Sequence, residues 1–194
     1  MNILPIKLFN IIDRKSAKTL AFIKKYSNTN NIKIYTSLKD LTINSEVIIT
    51  CVGNDSDLKD VYLKKNSIID HIKTNSLIID HSTASVDITK NLYKKFKKKN
   101  CDFFDAPVSG GEDGAISGKL AVMVGGDKEK FYRLTNILDS YSKSLIYIGK
   151  SGSGQITKMV NQICVASVIQ GLAEGLTLAK KNKINVNSLI EVIK

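Results

Sequence analysis

Short apolar runs alternate with helical patterns from the start of the chain to about residue 150. The run IKLFNII (6–12) reads as a strand, and Asp13 or Ser16 then opens a helix whose apolar positions Ala17, Leu20, Ala21 and Ile23 share one face. IKIY (32–35) and EVIITCV (46–52) read as strands, with a short helix from Ser37 between them. SLIID (76–80) is the next strand, followed by a helix from about Ser85 to Lys99 and the strand CDFFD (101–105). A glycine-rich loop leads to the strand KLAVMVG (119–125), a helix near 128–139 and the strand SLIYIG (144–149).

Strands rich in Ile, Val and Leu, separated by helices, predict right-handed crossovers and a largely parallel sheet covered on both faces. The expected class is therefore α/β with a Rossmann-like architecture. Ligands of such sheets lie beyond the carboxyl ends of the strands. The candidate rim is then Asn10, Val52-Gly53-Asn54, His81-Ser82-Thr83 and the loop from Ala106.

From Ser151 onward the pattern is helical only. One long helix is expected to about Lys183, and NVNSLIEVIK (185–194) starts another with Asn187 or Ser188 as its cap. This predicts a Rossmann domain over 1–150 and the start of an all-α domain over 151–194. The most apolar long window, Val160 to Ala179, is interrupted by Asn161, Gln162, Gln170 and Glu174. It reads as a buried helix and not as a membrane span.

Composition narrows the classes. Hydrophobic residues make up 43% and charged residues 24% of the 194, which suits a folded core. The net charge of +11 raises the question of a polyanion partner. Its main concentration is YKKFKKKN (93–100), where Ile88, Leu92 and Phe96 line one helix face and the lysines Lys94 to Lys99 cover the others. A solvated helix back is expected, with no nucleic-acid partner; polyanion binding through these lysines is the weaker alternative. Cys51, Cys101 and Cys164 are far apart without CxxC spacing, and only His71 and His81 could join them. A reduced, metal-free, cytoplasmic protein is the expectation. The opening MNILPIKLFN lacks the features of a signal peptide.

The stretch IGKSGSGQITKMVNQ (148–162) admits two readings. As a dinucleotide fingerprint it has Gly152 and Gly154 after a strand, with Glu174 where a ribose acid would fall. The third glycine position is Thr157, however, and no strand follows to complete a βαβ unit. As a helix entry it places Lys158, Asn161 and Gln162 at i, i+3 and i+4 on one face. A lysine beside two amides can exchange a proton with a substrate that the amides orient.

Together with FFDAPVSGGEDGAISGKLAVMVGGD (103–127), this stretch resembles the β-hydroxyacid dehydrogenase family, which includes 3-hydroxyisobutyrate dehydrogenase and tartronate semialdehyde reductase. The resemblance covers nearly the whole chain. It implies that Asp105-Ala-Pro-Val-Ser109-Gly110-Gly111 is the substrate loop, with Ser109, Gly110 and Gly111 holding a carboxylate. It also implies that Lys158 is the catalytic acid/base, with Asn161 and Gln162 positioning substrate and lysine. The implied reaction is hydride transfer between a short 3-hydroxy acid and NAD or NADP, giving a semialdehyde. Asn10, Val52, Gly53 and Asn54 would meet the adenosine and its ribose, and Ser82 and Thr83 the nicotinamide ribose. The family further implies a homo-oligomer for the full-length form and no membrane partner.

The sequence also departs from the family. Its first glycine is Gly53, and no position satisfies GxGxxG. Ile11 stands where many NADP-preferring members carry arginine, while Arg14 and Lys15 could supply that charge, so NAD and NADP both stay open. Family members also continue beyond this length. The expectation is a chain truncated at both ends, with a catalytically inactive fragment or binding remnant as the alternative.

Overall fold

A computed structural model describes residues 9–12 and 32–193. It divides into two compact units, Met1–Ile156 and Thr157–Lys194. The expected helix opened by Asp13 or Ser16, and Arg14 and Lys15 with it, lie outside the described residues.

In the first unit, β1 (Phe9–Ile11) and β2 (Ile32–Ile34) pair in parallel. Within the described residues they form a two-stranded sheet of their own. The second sheet has six strands: β3 (Val47–Thr50), β4 (Leu77–Asp80), β5 (Asp102–Asp105), β6 (Val108–Ser109), β7 (Leu120–Gly125) and β8 (Ser142–Gly149). β3, β4 and β5 run parallel in register, Val47 opposite Leu77 and Leu77 opposite Asp102. β7 is antiparallel to β5 and β6 and parallel to β8.

The mostly parallel, Rossmann-like sheet expected from the sequence is thus borne out, with β7 running antiparallel to β5 and β6 within it. The cause lies in the links. Crossovers carrying α2 (Asp55–Tyr62) with α3 (Ile68–His71), and then α4 (Val86–Lys98), return the chain in parallel to β4 and β5. Between β6 and β7 stands only the short α5 (Gly111–Ile116), so β7 comes back antiparallel, with Val108 opposite Val122. The sequence pattern left α2, α3, β6 and α5 unassigned; α3 and β6 span only four and two residues, too few to establish a period.

Alternation along the central strands builds two cores. Ile78 and Phe103 face a cluster with Ile48, Leu58, Tyr62, Leu92 and Phe96, supplied by β3, α2 and α4. Leu77, Ile79 and Phe104 face the other, with Val122, Val124, Leu134 and Leu138. The last two come from α6 (Tyr132–Leu138), which follows a 3-10 turn at Lys128–Lys130. β4 is buried along its whole length, which explains its unbroken apolar run. On α4, Ile88, Leu92 and Phe96 are buried while Lys94, Lys95 and Lys97 to Lys99 are exposed. Ser85 caps this helix, its Oγ accepting the Ile88 N–H at 3.2 Å. Ser37 likewise caps α1 (Leu38–Ile43), where the expected helix begins.

The first turn of α7 (Ser153–Lys181) belongs to the first unit and the rest of it to the second. From Met159 onward the helix is almost entirely exposed; Ile163, Val168 and Ile169 are each more than 60% accessible. Among the described residues this corrects the expectation of a buried helix; α8 (Val186–Ile193) follows it in the second unit. By length and composition α7 is also apolar enough to cross a membrane. α8 starts before the expected caps: Asn185 holds its first turn, the Oδ1 accepting the Ser188 N–H at 3.1 Å.

Candidate active site

The rim at the carboxyl ends of β3 and β4 is built from the chain's own hydrogen bonds. After β3, the Val52 N–H donates to Ser82 Oγ at 2.9 Å. The Gly53 N–H donates to Asp57 Oδ2 at 3.0 Å, and a Cβ at Gly53 would stand 2.8 Å from that oxygen. Asn54 caps α2, accepting the Ser56 and Asp57 N–H groups. Asp55 reaches across to the N-terminus of α4, accepting both the N–H and the hydroxyl of Ser85, and these bonds hold its carboxyl below the usual range. Gly53, Asn54 and Thr83 are exposed, whereas Ser82 is buried.

Beneath this rim lies a polar network. Thr50 Oγ1 donates to Asp80 Oδ1 at 2.8 Å, so the Tyr62 hydroxyl 2.7 Å away is the donor to Thr50. Burial pushes the Asp80 carboxyl up. His81 turns inward as well: its Nδ1 lies 2.6 Å from the Ala106 carbonyl and its Nε2 2.8 Å from the Tyr141 hydroxyl. The carbonyl can only accept, so Nδ1 carries the proton and Tyr141 donates to Nε2. Burial lowers the His81 pKa, which favours this neutral ring.

Ser109 ends β6, Gly110 follows it and Gly111 opens α5. Gly110 has φ +137° and Gly111 φ +62°, conformations that glycine adopts without steric cost. Both glycines are exposed, and a Cβ on Gly111 would meet nothing within 4 Å. This turn is open to a ligand.

The other glycine turn is closed. Asp105, the first residue of the expected substrate motif, is fully buried. Its Oδ1 accepts the Gly152 N–H at 2.8 Å and its Oδ2 the Gln155 N–H at 3.1 Å. Burial outweighs these bonds and raises the Asp105 carboxyl to about 6. Gln155, also fully buried, extends its side chain to Ser82 and Ala84. The turn that looks like a phosphate cradle thus holds the chain's own carboxylate at a helix N-terminus. Sequence reasoning set Asp105 in the substrate loop, with no structural role, and assigned no role to Gln155. The available signal was a glycine turn opening a long helix, which asks for an anion without saying which one.

Lys158, Asn161 and Gln162 belong to the second unit, on α7. Lys158 is buried, Asn161 half-buried and Gln162 exposed. Asn10 lies on β1, its backbone opposite Lys33. Among the described residues no group of three His, Cys, Asp or Glu side chains could hold a metal ion.

Parallel strands β3, β4 and β5, their crossover helices and a polar rim at their carboxyl ends define a dinucleotide-binding domain of the Rossmann type. The chain belongs to the family of the NAD binding domain of 6-phosphogluconate dehydrogenase, whose model matches residues 8–149. It is 39% identical over 183 residues to an uncharacterized oxidoreductase of Shewanella frigidimarina, covering 94% of this chain and 62% of that protein. It is 32% identical over 160 residues to the mitochondrial 3-hydroxyisobutyrate dehydrogenase of Drosophila melanogaster, covering 82% and 49%. Among solved structures it resembles the 3-hydroxyisobutyrate dehydrogenase of Mycobacterium tuberculosis with L-serine, at 29% identity and a TM-score of 0.77 over 84% of this chain and 55% of that one. The chain thus spans less than two thirds of the length of these relatives.

The family's domain is an NAD-binding one. The rim chemistry fits the sugar portion of such a cofactor. Thr83, Gly53 and Asn54 are exposed, while the Asp57 carboxylate on the Gly53 amide disfavours a phosphate there.

Proposed function

We propose that this chain is the cofactor-binding part, with the first helices of the following domain, of an NAD(P)-dependent oxidoreductase that interconverts a short 3-hydroxy acid and its semialdehyde. The observation that carries this reading is the family match over 8–149 followed by Lys158, Asn161 and Gln162 on one face of α7. Bound NAD or NADP would supply the hydride acceptor or donor. Val52, Gly53, Asn54, Ser82 and Thr83 would hold its nucleosides, with Asn10 at the adenosine end. Ser109 and the amides around Gly110 and Gly111 would hold the substrate carboxylate, as the open turn allows. The Lys158 Nζ would take the hydroxyl proton during oxidation and return it during reduction, while Asn161 and Gln162 orient the two partners. The setting proposed is cytoplasmic, with a homo-oligomer as the working form of the whole enzyme.

Titration with NADH and with NADPH, followed by nicotinamide fluorescence, tests the cofactor half of this reading. A screen of 3-hydroxy acids tests the other half, and Lys158→Ala is expected to lower turnover by about 10²- to 10⁴-fold. A second reading, a binding remnant without catalysis, is favoured by the absence of any GxGxxG position. A folded chain that binds neither nucleotide would select it.

A further inference from the structure

We infer that Gln155 is a positioning residue of the cofactor rim, clamping the backbone on both sides of Thr83, and that Asp105 holds Gln155 in place. The inference rests on the rim reading given above. Gln155 Nε2 donates to the Ser82 carbonyl at 2.7 Å, and Oε1 accepts the Ala84 N–H at 3.1 Å. An N–H can only donate and a carbonyl can only accept, so these partners fix the orientation of the carboxamide. Thr83, between the two clamped residues, is exposed.

The clamp extends in both directions. Toward the solvent, Ser82 Oγ accepts the Val52 N–H and the Ser82 N–H donates to Asp80 Oδ1 at 3.1 Å, so fixing Ser82 also fixes the turn after β3. Toward the core, Asp105 accepts the N–H of Gln155 itself and that of Gly152. Gly154 permits this closeness, because a Cβ there would lie 2.5 Å from the Met123 carbonyl and 2.7 Å from that of Asp105. A glutamine at this position satisfies both a donor and an acceptor on the Ser82–Ala84 backbone. Glutamate would set an acceptor against the Ser82 carbonyl, and alanine would leave two buried backbone groups without partners.

The test uses the 194-residue chain and its Gln155→Ala, Gln155→Glu and Asp105→Asn variants, with two readouts. Amide hydrogen exchange at Ala84, measured by NMR without cofactor, should speed up by about tenfold in Gln155→Ala while the Leu92 and Phe96 amides keep their protection. Nicotinamide nucleotide affinity should fall by about tenfold in the same variant, with Gln155→Glu intermediate because it keeps the acceptor for Ala84. Should Gln155→Ala fail to fold, Gln155→Glu and Asp105→Asn carry the comparison. Unchanged Ala84 exchange in folded variants would overturn the inference. If the unaltered chain binds neither NADH nor NADPH, the cofactor reading fails, and the exchange measurement still decides whether Gln155 clamps the rim.

Discussion

Two glycine turns in the first unit have similar sequences and opposite fates. Gly110-Gly111 stands exposed, with both φ angles positive and open space where a Gly111 Cβ would be. Gly152-Ser153-Gly154 is packed against β5 and β7 and filled by the Asp105 carboxylate. Glycine serves backbone conformation in the first turn and close approach in the second. The difference shows why a glycine-rich turn is weak evidence for a phosphate site: an internal carboxylate can take the anion's place.

The largest expected effect sits in the closed turn. Gly154→Ala forces a methyl group into two backbone carbonyls, at 2.5 and 2.7 Å, and should cost about 3 kcal/mol in urea unfolding. A loss of only a few tenths would break the distinction between the turns.

The pH dependence of stability comes next. The Asp105 carboxyl titrates at about 6 in the folded chain, above its ordinary value of 3.8, so the folded state binds the proton more tightly. Its contribution is fully present below pH about 4 and is lost as pH rises through about 6, a change on the order of 2–3 kcal/mol. The neutral, buried His81 acts in the opposite direction and Asp80 in the same one. Asp105 is therefore isolated by difference: unfolding free energies of the unaltered chain and Asp105→Asn, measured from pH 4 to 8, should diverge by that amount.

In the open turn, Ser109→Ala should leave stability within about 0.5 kcal/mol. It should raise KM for the acid substrate by about tenfold through loss of one bond to a charged group. Equal KM values would remove Ser109 from substrate binding. The smallest effect is Gly111→Ala, about 1 kcal/mol for the left-handed conformation alone, readable as a shift in urea midpoint. A cost matching that of Gly154→Ala would show that the Gly111 turn is also packed.

Legibility followed the range of the interactions. Every strand of four residues or more in the first unit was readable from its apolar run, and α4 from the spacing of Ile88, Leu92 and Phe96. These patterns are local, because burial of one face imposes its period directly on the sequence. The glycine turn at Gly110-Gly111 was legible too, because its residues are consecutive. Asp105 and Gln155 were not, although both lie inside stretches the sequence singled out. Their partners are 47 and 50 residues apart along the chain for Asp105, and 71 and 73 for Gln155.

By itself, then, the sequence determined most of the strands and the longer helices and where the carboxyl ends of those strands fall. Those follow from periodicity and residue chemistry. Only the tertiary structure decided that β7 returns antiparallel, that His81 turns inward to Ala106 and Tyr141, and that the second glycine turn is occupied from within. Hydrogen bonds between distant segments leave no period in the sequence, and a buried carboxylate finds its partners only when the strands that carry them have been brought together.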